Sequence, residues 1–134
     1  MSEENLEVIR DQYAATNERD FDRVMSYYDE DVELVFHVPD IRAGTFKGRD
    51  ATGRWFGDWF RSFDRDARFD VKELTQLEDG SVLVVADHHA RGRASGAEVH
   101  GTVVWLYRLR NRKIIRVDGY QTRDEALEAA GLQK

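Results

Sequence analysis

Apolar residues recur at helical spacing through the first half of the chain. Leu6, Ile9 and Tyr13 follow one another at intervals of three and four positions, which predicts a first helix. Asp20 is placed to cap a second, short helix that runs as far as Tyr28. A row of aromatic residues predicts a third, deeply buried helix with these side chains on one face: Trp55, Phe56, Trp59, Phe60 and Phe63.

The second half of the chain changes to the two-residue alternation of β-strands. Short turns separate the predicted strands, and turns this short join only antiparallel neighbours. The predicted strands run over 69–77, 82–93, 99–109 and 114–121. An earlier strand is predicted over 32–38, where Pro39 ends it, and residues 44–48 are interpreted as a loop.

Helices followed by an antiparallel run of strands make an α+β fold. A last helix is predicted because Thr122 and Glu125 form the pattern of a capping box and Gly131 stands where a helix-ending glycine is expected. With 134 residues and no linker or repeat, the sequence predicts one domain over 1–134. Helices across the concave face of a strongly bent sheet enclose a cavity, so a pocket is the first functional expectation.

Composition and charge narrow the possible functions. The formal net charge is −6 with acidic and basic residues interspersed, so the sequence lacks the basic stripe of a nucleic-acid-binding protein. No stretch approaches the roughly 18 apolar residues of a membrane span. The chain has no cysteine, which excludes thiol catalysis, disulfides and cysteine-ligated zinc. We expect a cytoplasmic protein without nucleic-acid or membrane partners, since the acidic N-terminus also lacks the apolar core of a signal peptide.

Several short motifs occur in a characteristic order. They are Tyr27-Tyr28 before Asp31-Val32-Glu33, Phe46-Lys47-Gly48-Arg49 before Trp55-Phe56, Arg91-Gly92-Arg93-Ala94-Ser95-Gly96, Leu106-Tyr107-Arg108-Leu109 before Lys113-Ile114, and Tyr120 before Glu125-Ala126-Leu127. In order and spacing, from about Leu6 to Leu132, the chain resembles the SnoaL-like polyketide cyclase family, within the superfamily of nuclear transport factor 2 and the ketosteroid isomerases. The resemblance implies a cone-shaped, cystatin-like fold and, commonly, a dimer formed through the sheet. It implies no single activity, because this fold hosts isomerases, cyclases, dehydratases, epoxide hydrolases and non-catalytic binders.

Alternation along the strands predicts which side chains face the concave side. Over 99–109 one face is almost entirely apolar, and we assign it to the pocket: Val99, Gly101, Val103, Trp105, Tyr107 and Leu109. In the strand over 82–93 the same reasoning turns His88 inward and the charged residues outward. The outward faces have an apolar middle, which predicts a homodimer through the outer sheet face: Leu83, Val85, Val104 and Leu106.

The acids that the family's enzymes use are missing at the matching positions. The resemblance places Phe36 where a ketosteroid isomerase has its carboxylate base, and Trp105 where it has a donor aspartate. Gln12 stands at the position of the donor tyrosine, and the SnoaL cyclases also use an acid on the strand of Trp105. An epoxide hydrolase needs an Arg-x-Asp pair on that strand, whereas Arg116 and Asp118 lie on the next one and are assigned outward, as a cross-strand charge pair. The known carboxylate chemistries are therefore not expected.

Histidine is the remaining candidate for proton transfer, since its reference pKa lies near neutrality. His88 is the predicted general acid or base of a cyclisation, isomerisation or dehydration; the alternative is a hydrogen-bonded histidine that closes the pocket wall. His89 follows directly and faces the opposite way, so the two cannot bind one metal ion. His100 is assigned outward and His37 to a strand end at the surface. We expect no metal and no cofactor.

The aromatic residues predict a pocket for a small hydrophobic or aromatic molecule. The residues expected to line it are Tyr13, Tyr28, Phe36, Trp55, Phe56, Trp59, His88, Trp105 and Tyr107. Tyr13 and Tyr28 offer hydroxyl groups that orient a ligand or, alternatively, are core residues with satisfied hydroxyls. The bulk of Phe36 and Trp105 leaves a further alternative open, in which the rings fill the cone and the protein is a dimerisation module without a ligand.

Overall fold

In the part of the chain that the structure describes, six strands form one mixed sheet with helices on both faces. The computed structural model describes residues 3–37, 44–63, 67–92 and 95–131. The helices are Glu3–Asn17 (α1), Phe21–Ser26 (α2), Arg49–Arg61 (α3) and Arg123–Ala129 (α4); the strands are Tyr28–Phe36 (β1), Gly44–Lys47 (β2), Arg68–Gln76 (β3), Val82–Arg91 (β4), Glu98–Arg110 (β5) and Lys113–Tyr120 (β6). The strand order is β2-β1-β6-β5-β4-β3, and β1 and β6 run parallel while the other neighbours are antiparallel. None of the described helices is long and apolar enough to cross a membrane.

The chain enters β1 earlier than its sequence pattern predicts. Helix α2 ends at Ser26, and Tyr28 opens β1 instead of closing the helix, because it pairs with Ile114 of β6. The predicted loop over 44–48 is also wrong, since Gly44–Lys47 forms an edge strand against the end of β1. So short an edge strand is stabilised by backbone pairing, and its own residues carry little β signal. The predicted strand end at Pro39 lies outside the described residues.

Local sequence signals account for several element boundaries. Asp20 caps α2, where its side chain accepts a hydrogen bond from the backbone N–H of Arg23. The capping box that opens α4 is complete, because Thr122 and Glu125 each accept a hydrogen bond from a backbone N–H of the other. Gly131 follows α4 with a left-handed φ of 76°, which a glycine adopts without strain. These three predicted boundaries are therefore confirmed.

Helices α1, α2 and α3 share one hydrophobic core with the concave face of the sheet. Helix α1 packs against β3, and α3 packs against β1. The predicted alternation along β5 is confirmed, because Trp105 and Tyr107 belong to this core while Val104 and Leu106 lie on the opposite face. His88 of β4 lies on the inner side, as predicted, among aromatic rings of the core. Helices on the concave face of a mostly antiparallel sheet make the predicted α+β cone.

Helix α4 covers the apolar middle of the outer sheet face. Leu83 and Leu106 are buried there in one cluster with Ala126 of α4. Arg123 ties the helix to β3 through two hydrogen bonds to the carboxylate of Glu73, of 2.7 and 3.0 Å. The apolar strip on which the predicted homodimer depends is thus covered by the chain's own last helix. The homodimer stays a prediction, and its interface would have to lie on the part of this face that α4 leaves open.

Candidate functional site

A cavity lies between α3 and the inner face of the sheet, near the ends of β1 and β6. Its volume is about 270 Å³, just below the range of about 300–1,000 Å³ that is typical of ligand pockets. Six of the predicted lining residues surround it: Phe36, Trp55, Phe56, Trp59, His88 and Trp105. Val103, which alternation assigns to the concave side, also lines it, and five further lining residues are not foreseen from the sequence: Phe69, Thr102, Gly119, Tyr120 and Gln121. The aromatic rings at this end of the cone therefore leave space between them.

Tryptophan side chains of α3 form one wall of the cavity. Trp55 and Trp59 are one helical turn apart, so they lie on the same face of α3. The ring centroid of Trp55 is 4.8 Å from that of Phe36 and 6.4 Å from that of Trp105. Trp59 stacks on Phe69 at 5.5 Å. All three tryptophans of the chain line this cavity, and such rings offer flat faces to a planar molecule.

Trp105 contributes both an apolar ring and a hydrogen-bond donor. The residue is 7% exposed, and its indole contacts the rings of Phe36, Phe56 and Phe69. This is the inward orientation on which the argument against the carboxylate chemistries depends. Within the described part of the chain, no residue hydrogen-bonds to the indole N–H although the atom is not sealed from the cavity. An indole N–H donates a hydrogen bond but does not act as an acid or base near neutral pH.

Gly119 allows two aromatic rings to close over β6. It lies opposite Phe36 of β1 on one side and opposite Trp105 of β5 on the other. A Cβ at this position would lie 2.7 Å from Cδ1 of Phe36 and 3.3 Å from Nε1 of Trp105. The first distance is too short for a van der Waals contact, so a side chain here would force the Phe36 ring to move. The shape of this end of the cavity therefore depends on a glycine.

His88 is packed among aromatic rings where the cavity meets β4. It is 7% exposed, and its ring centroid lies 4.5 Å from that of Trp59 and 5.5 Å from those of Phe63 and Phe69. Gly101 stands opposite it on β5. The packing is that of a histidine closing the pocket wall, while its place in the lining also keeps it within reach of a bound molecule.

The side chain of Asn17 holds Phe69 in the cavity wall. Its Nδ2 donates a hydrogen bond to the backbone O of Phe69, and its Oδ1 accepts one from the backbone N–H of Phe69, both at 2.9 Å. Because β3 is an edge strand, its outer backbone groups lack a neighbouring strand. The amide of Asn17 replaces that neighbour at one residue, and the end of α1 is thereby joined to the wall.

The three remaining predicted lining residues lie deeper than the cavity and do not border it. Tyr13, Tyr28 and Tyr107 are at most 3% exposed. The hydroxyl oxygens of Tyr13 and Tyr107 are 2.7 Å apart, and the hydroxyl of Tyr28 donates to Oε1 of Gln12 at 3.2 Å. Burial raises the pKa of all three phenols, because it disfavours the charged phenolate. They are core residues with bonded hydroxyls, which corrects their placement in the pocket.

Arg116 and Asp118 lie on the outer face, as predicted. They pair with each other along β6, and Arg116 also makes the predicted cross-strand charge pair, 3.8 Å from the carboxylate of Glu33 on β1. Asp118 is 3% exposed, and Arg116 donates to both of its oxygens, at 2.9 and 3.0 Å. Nε2 of His37 lies 2.8 Å from Oδ1 of the same carboxylate. Burial alone would raise the pKa of Asp118, but the hydrogen bonds from Arg116 and His37 outweigh it and lower that pKa. This ion pair is far from the geometry of a water-activating pair inside the cone.

Among the unforeseen lining residues, some have a signal in the sequence and others have none. Phe69 carries a signal, because an aromatic residue that opens a strand antiparallel to β4 falls opposite His88. Thr102 carries none, since alternation turns its side chain outward, where its hydroxyl donates to Asp87. Gly119 and Gln121 also carry no sequence signal, because their place in the lining depends on how β1, β5 and β6 meet at the mouth of the cone.

Comparison with known proteins identifies a family. The model of the SnoaL-like domain matches residues 9–117 of the chain, which is most of its length. The predicted family resemblance is therefore confirmed. None of the curated proteins matches the sequence.

Solved structures with the same fold cover nearly the whole chain. Bal32a, from a soil-derived mobile gene cassette, has a TM-score of 0.81 at 21% identity and covers 96% of each chain. A putative polyketide cyclase of Xanthomonas campestris pv. campestris has a TM-score of 0.77 at 18% identity, covering 94% of this chain and 96% of that one. RV0760c of Mycobacterium tuberculosis, in complex with estradiol-17beta-hemisuccinate, has a TM-score of 0.75 at 17% identity, covering 90% and 95%. At these identities the likeness is one of fold.

Proposed function

The chain belongs to the SnoaL-like domain family, and we propose that it binds one small, flat, largely apolar molecule in the cavity beneath α3. One observation carries the proposal: a cavity of about 270 Å³ has all three tryptophans of the chain in its wall. Aromatic walls favour a ring system that stacks on them. The size of the cavity favours a compact ligand. The steroid derivative in the structure of RV0760c shares the flat, largely apolar ring system but is a larger molecule.

The polar atoms of the cavity favour a ligand that carries a hydrogen-bond acceptor. The indole N–H of Trp105 is available as a donor, and Gln121 belongs to the lining at the mouth. No Asp or Glu is among the described lining residues. We therefore propose an aromatic ring with a carbonyl or carboxylate oxygen directed at Trp105. An ammonium ion held against the same rings by cation–π attraction is the competing occupant.

Tryptophan fluorescence tests this proposal directly, because every tryptophan borders the cavity. The titration uses naphthalene, 2-acetylnaphthalene, estradiol and tetramethylammonium chloride. Saturable quenching by the ring compounds is expected, together with a rise in Tm, since a ligand at about 100 times its Kd stabilises the native state by about 2.7 kcal/mol. Quenching by tetramethylammonium alone would contradict the proposed ligand class.

Two valine substitutions show whether the ligand occupies this cavity. Val103 lines the cavity from β5, and Val85 is a half-buried valine on the outer side of β4. Val103→Phe fills the space and should weaken binding of 2-acetylnaphthalene at least about tenfold, whereas Val85→Phe should leave it unchanged. Equal affinities for Val103→Phe and the unmodified protein would place the ligand elsewhere.

Proton transfer by His88 is the second candidate function, and its place in the cavity lining favours it. In this role the imidazole would take or give a proton during a cyclisation, isomerisation or dehydration. His88→Gln keeps a polar side chain of similar size and should change ligand affinity little. Turnover should fall by about 100-fold or more if the imidazole is the acid or base. Unchanged turnover in His88→Gln would end this role.

A homodimer through the outer sheet face is proposed separately, with its interface beside α4. Thr102 and Asp87 are neighbours on that open part of the face, and their side chains are hydrogen-bonded. Thr102→Glu would place a second negative charge beside Asp87 in each copy. Sedimentation equilibrium should then give a weaker dimer than for Thr102→Ser. A protein that is monomeric at all concentrations would contradict the proposal.

A further inference from the structure

Two histidines stand directly opposite each other on the outer face of β4 and β5. His89 pairs with His100 in the antiparallel ladder, and their Nδ1 atoms are 3.0 Å apart. Their side chains are 37% and 62% exposed, so ions in solution reach both. Leu83, which α4 covers, is six residues away on β4, or about 20 Å along the strand. The pair therefore lies on the open part of this face.

Each of the two imidazoles has a carboxylate beside its other nitrogen. Nε2 of His89 is 3.2 Å from Oδ2 of Asp70, and Nε2 of His100 is 3.4 Å from Oε1 of Glu98. A neutral histidine that donates its Nε2 proton to a carboxylate has its lone pair on Nδ1. When both histidines do so, two lone pairs face each other across 3.0 Å. Such an arrangement needs a shared proton or a cation between the two nitrogens.

We propose that His89 and His100 bind one divalent transition-metal ion through their two Nδ1 atoms. Metal–imidazole bonds are about 2.0–2.1 Å long, so two nitrogens at a right angle around a metal are about 2.9 Å apart, and at a tetrahedral angle about 3.3 Å. The observed separation of 3.0 Å is closer to the right angle. Right-angled nitrogen ligands are typical of tetragonal Cu²⁺ and Ni²⁺ sites.

The two carboxylates occupy the outer positions that are common at metal-bound histidines. A carboxylate that accepts the far N–H of a ligating imidazole fixes its tautomer and makes the metal-binding nitrogen more basic. Arg91 lies 3.3 Å from the other oxygen of Glu98, and Arg68 lies 3.6 Å from the other oxygen of Asp70. These arginines hold the carboxylates in place and leave one oxygen of each directed at its histidine.

Water must complete the coordination of the ion. Among the described residues, no group of three or more His, Asp and Glu side chains is arranged to hold a metal. Two imidazoles with exposed outer positions make a reversible site, which prefers Cu²⁺ over Ni²⁺ by the general order of affinities. From the sequence we expect no metal, because His88 and His89 are adjacent in a strand and face opposite ways. The register of β4 and β5 instead places His100, eleven residues further along the chain, opposite His89.

The test titrates CuCl₂ and NiCl₂ into the untagged protein by calorimetry, with electron paramagnetic resonance of the Cu²⁺ complex. One ion per chain is expected, with tighter binding of Cu²⁺ and a spectrum showing two equatorial nitrogens. His89→Asn and His100→Asn should each weaken Cu²⁺ binding at least about tenfold, and Asp70→Asn should weaken it by about tenfold through the outer contact. His37→Asn is the matched control, because His37 also faces a carboxylate but has no second imidazole.

Several results would overturn the proposal. Cu²⁺ binding no tighter than in the His89→Asn/His100→Asn double variant would mean that the two nitrogens share a proton and nothing more. Undiminished binding in His100→Asn, or a loss in His37→Asn as large as in His89→Asn, would place the ion elsewhere. Circular dichroism verifies that each variant is folded, and His89→Gln and His100→Gln replace any asparagine variant that is not.

Discussion

The two ends of the cone interior are both built from aromatic residues, yet one is closed and the other is open. At the closed end Tyr13, Tyr28 and Tyr107 are almost completely buried, and their hydroxyls are hydrogen-bonded. At the open end Trp55 and Trp59 are half-buried beside a cavity of about 270 Å³. Similar aromatic content therefore leads to a filled core at one end and to an open cavity at the other.

The polar atoms of the rings explain this difference. A buried phenol needs a partner for its hydroxyl, and the hydrogen bonds that satisfy Tyr13 and Tyr107 draw their rings together. At the open end Trp55 and Trp105 have no such bonds among the described residues, and they are positioned by contacts with Phe36 and with each other and by the space at Gly119. The indole N–H of Trp105 is among the donors that have no partner in the described part of the chain. Hydrogen bonds between the tyrosines hold the closed end tightly packed, whereas rings that are held only by van der Waals contact can leave space between them.

The largest effect is expected at high pH, where the closed end should fail as a unit. The folded-state pKa values of Tyr13, Tyr28 and Tyr107 lie above the unfolded value of about 10, mainly because of burial. Above that pH the unfolded chain loses protons that the folded chain keeps, so the free energy of unfolding falls as pH rises. Near-ultraviolet absorbance should show these phenols ionising together with the loss of circular dichroism. Gradual ionisation of all five tyrosines before unfolding would show that the closed end does not protect its phenols, and the proposed difference between the two ends would be lost.

Truncating one aromatic ring at the closed end should lower the free energy of unfolding more than truncating one at the open end. Tyr28→Ala leaves a cavity in a filled region and should lower the free energy of unfolding by about 3–5 kcal/mol. Trp55→Ala enlarges a space that already exists, and we expect a loss of roughly 1–2 kcal/mol. Urea denaturation measures both changes. Similar losses for the two variants would mean that the open end is packed as tightly as the closed one.

Tyr107 at the closed end and Tyr120 on the outer sheet face give a matched pair of phenol hydroxyls, one hydrogen-bonded and one not. Tyr107→Phe leaves the hydroxyl of Tyr13 without its partner and should cost about 1–3 kcal/mol. The same change at Tyr120, whose hydroxyl has no hydrogen bond among the described residues, should cost less than about 0.5 kcal/mol. The double variant Tyr13→Phe/Tyr107→Phe should lose less stability than the sum of its single changes, because both act on one bond. Additive losses would show that the bond contributes little.

The smallest effect concerns the free donor at the open end. Trp105→Phe keeps an aromatic ring but removes the indole N–H, so binding of 2-acetylnaphthalene should weaken by about 1 kcal/mol, or roughly fivefold. Naphthalene has no acceptor oxygen, and it serves as the internal control because any loss of ring contact affects both ligands. Equal losses for the two compounds would show that the N–H does not contact the ligand.

Much of the architecture follows from local patterns, and the misses have a common cause. The boundaries at Asp20 and Thr122 rest on side-chain caps within a few residues, and they are visible in the sequence. The edge strand β2 is not visible, because its pairing partner lies in β1. The division of the nine predicted pocket residues into six lining residues and three buried tyrosines is equally invisible, since all nine have inward or aromatic patterns.

The sequence by itself determined the α+β class, the family and the inward side of each central strand, because helical and strand periods and capping residues act over a few positions. Only the tertiary structure decided three further matters: that α4 covers Leu83 and Leu106, that the tyrosines close one end of the cone, and that His89 meets His100. Each of these depends on contacts between residues distant in the chain. Such contacts are set by strand register and helix packing, and neither is encoded in any short stretch of sequence.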